Sequence, residues 1–207
     1  MRIAVIGAGH VGGALGLGWA RAGHEVIFGS RTPNDPELKQ LLGGTKARAA
    51  EVRESAKQAE VVALAVPWGA VPAVLNEIVP ELKGKILIDC TNPAKQWPDM
   101  DHSEGSGGEQ VARLVPEAKV VKAFNTTGFE NMQNPKYPEA AATMFYAGDD
   151  VAAKKVVHGL VKDLGFDPVD AGGLAQSHAL EILASLWGGL AYSQKMGRGI
   201  AFRLMRR

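Results

Sequence analysis

Three glycines near the start of the chain have the spacing of a dinucleotide-binding loop. Gly7, Gly9 and Gly12 form a G-x-G-x-x-G motif that follows an apolar run at residues 2–6 and opens a segment with helical spacing. In such a loop the first glycine permits a tight turn, the second lets the backbone approach a pyrophosphate, and the third allows close packing of helix on strand. The motif predicts a phosphate site; a glycine-rich turn without a ligand is the alternative.

The end of the second apolar run, residues 25–28, indicates which dinucleotide would fit. NAD-specific folds place Asp or Glu there to bind the ribose 2′-hydroxyl, and that carboxylate would repel a 2′-phosphate. This chain has Ser30, Arg31 and Thr32 after Gly29 instead. The two hydroxyl groups can donate hydrogen bonds, and the guanidinium can form a charge-assisted contact with phosphate. We therefore predict NADP(H) as the cofactor, with a solvated loop arginine as the alternative.

Polar and aromatic residues follow three further apolar runs. These residues are VPW at 66–68, TNP at 91–93 and FNTT at 124–127. Ligands of open α/β sheets bind outside the carboxyl ends of the strands, so the three stretches are expected to meet in one crevice. The tryptophan can cover a flat ring or anchor a helix start. Asn92 and Asn125 can bind ribose or a carboxamide, although an asparagine before proline is also ordinary turn chemistry.

These strand ends contain no evident acid and base pair and no nucleophile triad. Direct hydride transfer between two stacked rings needs an approach of about 3–3.5 Å more than it needs a protein acid. Carbonyl reduction, by contrast, usually needs a proton donor. Cys90, the only cysteine, is expected to be a small buried hydrophobe, and none of the five histidines has the i, i+4 spacing of a helical metal site. We therefore assign no catalytic residue and no metal ligand.

Alternating strands and helices are predicted to position these residues. The pattern favours a Rossmann-type doubly wound parallel sheet with right-handed crossovers over residues 1–173, and a small helical appendage over 174–207. We expect that appendage to cover the site of the molecule that exchanges a hydride with the cofactor, or to form a dimer contact. Candidate strands lie at residues 2–6, 25–28, 60–67, 85–90, 119–124, 143–148 and 166–172. Candidate helices end near Gly23, follow Asp35-Pro36, cover 50–58, run from a Ser106/Glu109 capping box to Leu114, and follow Asp149-Asp150.

The composition is that of a soluble globular protein without a strongly charged partner. The 207 residues are 46% apolar and 22% charged, with a formal net charge of +1. This balance gives no field that would recruit nucleic acid or an anionic membrane. No apolar run approaches the ~18 residues of a membrane-spanning helix, and the first residues lead directly into a strand rather than a signal peptide. We expect a cytoplasmic location.

Together these stretches resemble a known family, the NADPH-dependent coenzyme F-420 (F420) reductases, which share a fold with the oxidoreductase domain of membrane ferric reductases. The resemblance runs from Met1 to about Glu181 and rests on seven stretches: MRIAVIGAGHVGGALG, GSR, AVPW, DCTNP, VVKAFNTTG, GDD and PVDAGGL. It implies a Rossmann domain, often dimeric, that transfers a hydride between NADP(H) and F420 or a flavin-like acceptor. The positions that it and the motifs assign to the cofactors are Gly7, Gly9, His10, Val11, Gly12, Ser30, Arg31, Thr32, Val66, Pro67, Trp68, Asn92, Pro93, Asn125 and Thr126.

Within this assignment the last two positions and the C-terminal helices are expected to hold the second redox partner, a small molecule. His178 has no clear counterpart in the family, so the acceptor's identity stays open. The basic end, with Arg198, Arg203 and two terminal arginines, is a solvated tail or an attraction for an anionic partner such as a polyglutamylated coenzyme. Two other functions stay open: a non-catalytic NADPH-binding sensor or partner protein, and a reductase of a small carbonyl compound.

Overall fold

The computed structural model describes residues 1–207, in which strands and helices alternate along most of the chain. The strands are β1 (Arg2–Ile6), β2 (Glu25–Gly29), β3 (Arg48–Ala50), β4 (Val61–Leu64), β5 (Ile86–Asp89), β6 (Ala94–Gln96), β7 (Asp99–Met100), β8 (Lys119–Ala123), β9 (Thr143–Gly148) and β10 (Asp167–Asp170). The helices are α1 (His10–Arg21), α2 (Pro36–Leu42), α3 (Val52–Gln58), α4 (Val71–Ile78), α5 (Gly107–Leu114), α6 (Phe129–Gln133), α7 (Val151–Asp163) and α8 (Ser177–Gly188).

Eight strands form one twisted sheet in the order β10-β9-β8-β5-β4-β1-β2-β3, which confirms the Rossmann-type prediction. Every neighbouring pair is parallel except β8 and β9, so the predicted parallel sheet contains one antiparallel pair that the sequence did not indicate. The connection between these two strands contains only the five-residue helix α6, which does not carry the chain back along the sheet. The 13-residue helix α7 then provides the crossover that makes β9 and β10 parallel.

Both faces of the sheet are covered by helices. Along β1, Ile3 and Val5 pack into one core cluster and Ala4 and Ile6 into another, as expected for a strand buried on both sides. The first face carries α1, α6 and α7, and the second carries α3, α4 and α5. The indole nitrogen of Trp19 in α1 donates a hydrogen bond of 3.0 Å to a carbonyl of α7, which joins the two helices.

Local signals fix several helix ends where the sequence predicted them. The carboxylate of Asp35 accepts hydrogen bonds from the first backbone N–H groups of α2. Ser106 and Glu109 form the expected capping box, and α5 ends at Leu114.

Sequence analysis missed strand β3. Residue 50, predicted to begin a helix, ends this strand, and α3 starts at Val52. Its sequence, RAA, has no β-branched residue, so pairing with β2 rather than propensity defines the strand.

The C-terminal segment is helical, as predicted, and no strand follows it. Helix α8 packs against α5 and is extended by a π-helical turn over Gly189–Ser193. The tail then returns to the sheet, where the backbone N–H of Thr143 donates a 2.9 Å hydrogen bond to the carbonyl of Phe202. The division of the chain at residues 173 and 174 stays a prediction. None of the helices has the length and apolar character needed to cross a membrane.

Candidate functional site

A cavity of about 400 Å³ opens at the carboxyl ends of β1, β2 and β4. It brings together part of the predicted phosphate loop, the residues after β2 and the start of the stretch after β4. Its far wall comes from helices α3 and α4, which sequence reasoning did not place at the site. The lining residues are Ile6, Gly7, Ala8, Gly9, Gly29, Ser30, Arg31, Thr32, Val52, Ala65, Val66, Pro67, Ala70, Ala73, Val74 and Glu77.

The glycine loop has the geometry that close approach of a pyrophosphate requires. Gly7 has a φ of +104°, a left-handed conformation that glycine adopts without strain. A Cβ atom on Gly12 would overlap the carbonyl of Gly7, so helix α1 packs on the loop only because this residue is glycine. A Cβ atom on Gly9 would instead meet nothing within 4 Å. The space above Gly9 lies beside the N-terminus of α1, whose unpaired N–H groups attract phosphate.

The residues after β2 form a turn that presents a cation to the cavity. The backbone N–H of Ser30 donates to a carbonyl of β3, and its hydroxyl accepts a 3.1 Å hydrogen bond from the N–H of Thr32. Arg31 is exposed, lines the cavity and takes part in none of the chain's salt bridges. Its guanidinium is therefore available to a ligand. Glu77 of α4 is the one acidic residue in the lining of this cavity, and no acid lines it at the end of β2.

We expect NADPH to bind to this chain about ten- to hundredfold more tightly than NADH, because a charge-assisted hydrogen bond contributes about 1.5–3 kcal/mol. The Arg31→Ala variant should lose most of that preference and keep its affinity for NADH. Isothermal titration calorimetry with both nucleotides measures the effect. Arg21→Ala, which removes an exposed arginine at the other end of α1, is the control and should keep the preference. Equal affinities of the unmodified chain for the two nucleotides would contradict the prediction.

A second cavity, of about 240 Å³, lies where the N-terminus of α1 meets α6 and the C-terminal segment. We call it the aromatic slot. Five aromatic rings line it, together with two asparagines and one arginine. Its lining residues are Val11, Cys90, Asn92, Trp97, Phe124, Asn125, Thr127, Gly128, Phe129, Met132, Trp187, Tyr192 and Arg198. The aromatic residues Trp97, Trp187 and Tyr192 were not among the predicted site residues.

His10 and Arg198 both pack on Phe129 at the wall of the slot. The imidazole ring of His10 is stacked on Phe129 with ring centroids 4.5 Å apart, and the Arg198 guanidinium carbon lies 5.0 Å from the Phe129 centroid. Arg198 also forms two hydrogen bonds with the carboxylate of Glu130. Burial raises the pKa of Glu130, but contact with Arg198 outweighs that effect and holds the pKa below its ordinary value. The arginine charge is therefore already paired.

The remaining predicted site residues are placed differently. Asn92 and Asn125 are joined by hydrogen bonds and both line the slot. Trp68 begins a short 3₁₀ turn and packs against the core beside α4, as a helix-start anchor does. Pro93 lies against Gly107, and the buried hydroxyl of Thr126 faces the Met144 sulfur. Trp68, Pro93 and Thr126 line neither cavity.

A buried ionic network behind the slot was missed by sequence analysis. The ammonium group of Lys122 lies 2.8 Å from a carboxylate oxygen of Asp89 and 2.9 Å from one of Glu181, and all three side chains are fully buried. Burial opposes the charge on Lys122, yet the two carboxylates raise its pKa above the ordinary value. Glu181 also accepts hydrogen bonds from backbone N–H groups at the start of α5, and it contacts His102. The network therefore connects α8 to β5, β8 and α5.

Cys90 lines the slot as a neutral thiol. It is buried, and burial together with nearby Asp89 raises the pKa of the thiol far above its ordinary value. A thiol that stays protonated is a poor nucleophile. The expected role as a small apolar side chain is consistent with this environment.

Several known proteins are similar to this chain over most of its length. A family model described as coenzyme F420-dependent NADP oxidoreductase matches residues 2–93. The F420-dependent NADP reductase of Methanocaldococcus jannaschii is 30% identical, and the match covers 97% of this chain and 97% of that protein. The enzyme of the same description from Methanothermobacter marburgensis is 30% identical over 90% of each chain.

Two further comparisons extend the similarity. The metalloreductase STEAP3 of Rattus norvegicus is 29% identical over 88% of this chain, but the chain spans only 36% of that protein. A crystal structure of a protein from Arthrobacter sp. FB24 superimposes with a TM-score of 0.88 at 33% identity over 99% of both chains. That protein is provisionally described as an F420-dependent NADP-reductase. A protein from Sinorhizobium meliloti superimposes with a TM-score of 0.77 at 29% identity, covering 100% of this chain and 96% of that one.

Proposed function

The chain belongs to the family of F420-dependent NADP oxidoreductases, and from that premise we propose that it transfers a hydride between NADP(H) and a deazaflavin such as coenzyme F420. The relatives support the nucleotide and the type of reaction. The choice of a deazaflavin as partner rests on the names of the two archaeal reductases and on the aromatic slot.

The observation that carries the proposal is that two different cavities both include residues of the glycine motif at the N-terminus of α1. The larger cavity contains Gly7 and Gly9 of the glycine loop, and the slot contains Val11 of the same motif. No Asp, Glu, His or Lys side chain lines the slot, and Tyr192 is the one residue there whose phenolic hydroxyl could donate a proton. The predominance of aromatic rings in this lining favours direct transfer between two flat rings.

The residues of the larger cavity fit NADP(H). The open space above Gly9 and the free N–H groups of α1 suit a pyrophosphate, and Arg31 suits a 2′-phosphate. The apolar wall formed by Val52, Ala73 and Val74 suits the face of an adenine ring. The bound nicotinamide would supply or accept the hydride at its C4 atom.

The slot fits a flat, largely apolar partner. The exposed rings of Trp97 and Tyr192 offer stacking surfaces, and the Arg198 charge is balanced by Glu130, so the slot itself has no free cation to select a strongly anionic ring. F420 is the first acceptor to test, followed by FMN, FAD and a flavin-bound ferric chelate. The two terminal arginines are exposed and suit the anionic tail of such a coenzyme.

The experiment that tests the proposal follows an isotope label. We expect NADPH deuterated on one face of nicotinamide C4 to transfer its deuterium to F420 without exchange with water, because the two rings react directly. NADPH deuterated on the other face is the control and should retain its label. Mass spectrometry of both products measures the transfer. The pH profile of the reaction should lack the bell shape of a paired acid and base.

Each alternative predicts a different result. Loss of the label to solvent in the reaction with F420 would contradict direct transfer between the two rings, because deuterium bound to carbon does not exchange. Activity only with small carbonyl compounds would favour a carbonyl reductase, for which Tyr192 is the candidate proton donor at the slot. Absence of NADPH oxidation with every acceptor, despite tight NADPH binding, would favour a sensor or partner protein.

A further inference from the structure

One oxygen atom at the slot has no partner. The side chain of Asn125 is only 4% exposed, and its Oδ1 atom is fully buried without a hydrogen-bond donor. A buried acceptor in this state is destabilising, and buried polar groups are nearly always paired in folded proteins. Asn125 is one of the residues that line the slot, so a ligand bound there is the nearest source of the missing donor outside the chain.

The orientation of this amide is fixed by Asn92. The Nδ2 group of Asn92 donates a 2.9 Å hydrogen bond to the backbone carbonyl of Asn125. The Oδ1 atom of Asn92 then accepts a 3.0 Å hydrogen bond from Nδ2 of Asn125. Rotating the Asn125 amide by 180° would bring two oxygen atoms together, so the hydrogen-bond pattern itself assigns Oδ1 as the free atom.

The backbone that carries Asn92 is held by the buried network. Lys122 donates a 2.7 Å hydrogen bond to the carbonyl of Thr91, and the backbone N–H of Thr91 donates to Asp89 at 2.9 Å. The buried charges of Lys122 and Asp89 therefore hold the backbone next to Asn92 in place. Such support limits the freedom of Asn125 to turn and satisfy its oxygen elsewhere.

We propose that Oδ1 of Asn125 accepts a hydrogen bond from an N–H group on a flat heterocycle bound at the slot. Two sources have this chemistry: the carboxamide of nicotinamide and a ring imide of the acceptor. The inference rests on the proposed function for the identity of those rings. Asn92 is a positioning residue, because both ends of its amide are used to orient Asn125.

The test compares pairs of ligands that differ in one N–H group. The first pair is NADP⁺ and its 3-acetylpyridine analogue, in which a methyl group replaces the carboxamide nitrogen. The second pair is FMN and N3-methyl-FMN, measured in the presence of NADP⁺. We expect the unmodified chain to bind the N–H ligand of one pair about tenfold more tightly. In Asn125→Leu that ratio should fall to about one, because the effect of losing the Asn92 contact is common to both ligands.

The control is Asn134→Leu, which makes the same change at an exposed asparagine that lines neither cavity, and which should keep the ratio. A preference in the first pair identifies the nicotinamide carboxamide as the hydrogen-bond donor to Asn125. A preference in the second pair identifies the acceptor ring as that donor. The proposal is overturned if the unmodified chain shows no preference in either pair, or if Asn125→Leu retains the preference. These are binding measurements, so they are independent of whether hydride transfer to F420 occurs. The two ligand pairs can be compared on the unmodified chain, so this part of the test does not depend on whether Asn125→Leu folds.

Discussion

The Gly9→Val variant is expected to fold and to lose NADPH binding, with an affinity at least about a hundredfold lower, or ~2.7 kcal/mol. Gly9 has a φ of −71° and a ψ of −167°, an extended conformation with negative φ that does not require glycine. Apart from the neighbouring residues, a Cβ atom there meets nothing within 4 Å, so we expect the variant to fold. The branched side chain would instead fill the space that the pyrophosphate needs. Circular dichroism and a calorimetric titration with NADPH measure the two effects.

Gly12→Val is the matched comparison, because it changes the same motif in the opposite way. Its side chain would overlap the carbonyl of Gly7, so α1 cannot keep its position on the loop, and we expect a large loss of stability. A Gly9→Val protein that is folded and still binds NADPH would show that the loop is not the phosphate site. A Gly9→Val protein as unstable as Gly12→Val would show that the open space does not exist.

The order of strands and helices could be predicted because it depends on signals that are local in sequence. Apolar β-branched runs mark the buried strands, and Asp35 and Ser106 mark helix starts by hydrogen bonds within three residues. The reversed direction of β9 has no such signal. It depends on how the connection after β8 packs in space. Residues 124–142 contain no sequence signal that distinguishes a parallel from an antiparallel β9. Strand β3 was missed for the same reason, since an edge partner defines it.

The candidate site likewise has one part that local sequence signals predict and another part that they do not. The glycine loop and Arg31 could be found because consecutive residues make that half of the site. The slot is assembled from residues as distant in sequence as Val11 and Arg198, and no spacing rule connects them. The ionic network did leave a trace, because a lysine at position 122 follows two valines and precedes an apolar pair in a central strand. A charge in that setting needs a buried partner, although the sequence does not say that Glu181 provides it.

We expect Lys122→Met to lower the free energy of unfolding by about 3–5 kcal/mol, because it leaves Asp89 and Glu181 buried without their shared cation. Methionine has a similar length and fits an apolar strand, so the loss reports the charge rather than a cavity. The pKa of Lys122 is raised in the folded chain, so its charge stabilises fully below the ordinary lysine pKa of about 10.4 and is lost as pH rises through the higher folded value. Urea unfolding at pH 7 measures the difference.

Lys119→Met is the matched control on the same strand. The Lys119 ammonium group pairs with Asp150 at 3.1 Å, but its side chain is 42% exposed, so its removal should change stability by less than about 1 kcal/mol. Neutralising both carboxylates in Lys122→Met, by Asp89→Asn and Glu181→Gln, should recover part of the lost stability, because no unpaired charge then remains buried. Equal effects of Lys122→Met and Lys119→Met would contradict the network as a source of stability. A loss in Lys122→Met that the two neutral amides fail to reduce would mean that packing of the lysine stem, and not its charge, holds α8 against β5 and β8.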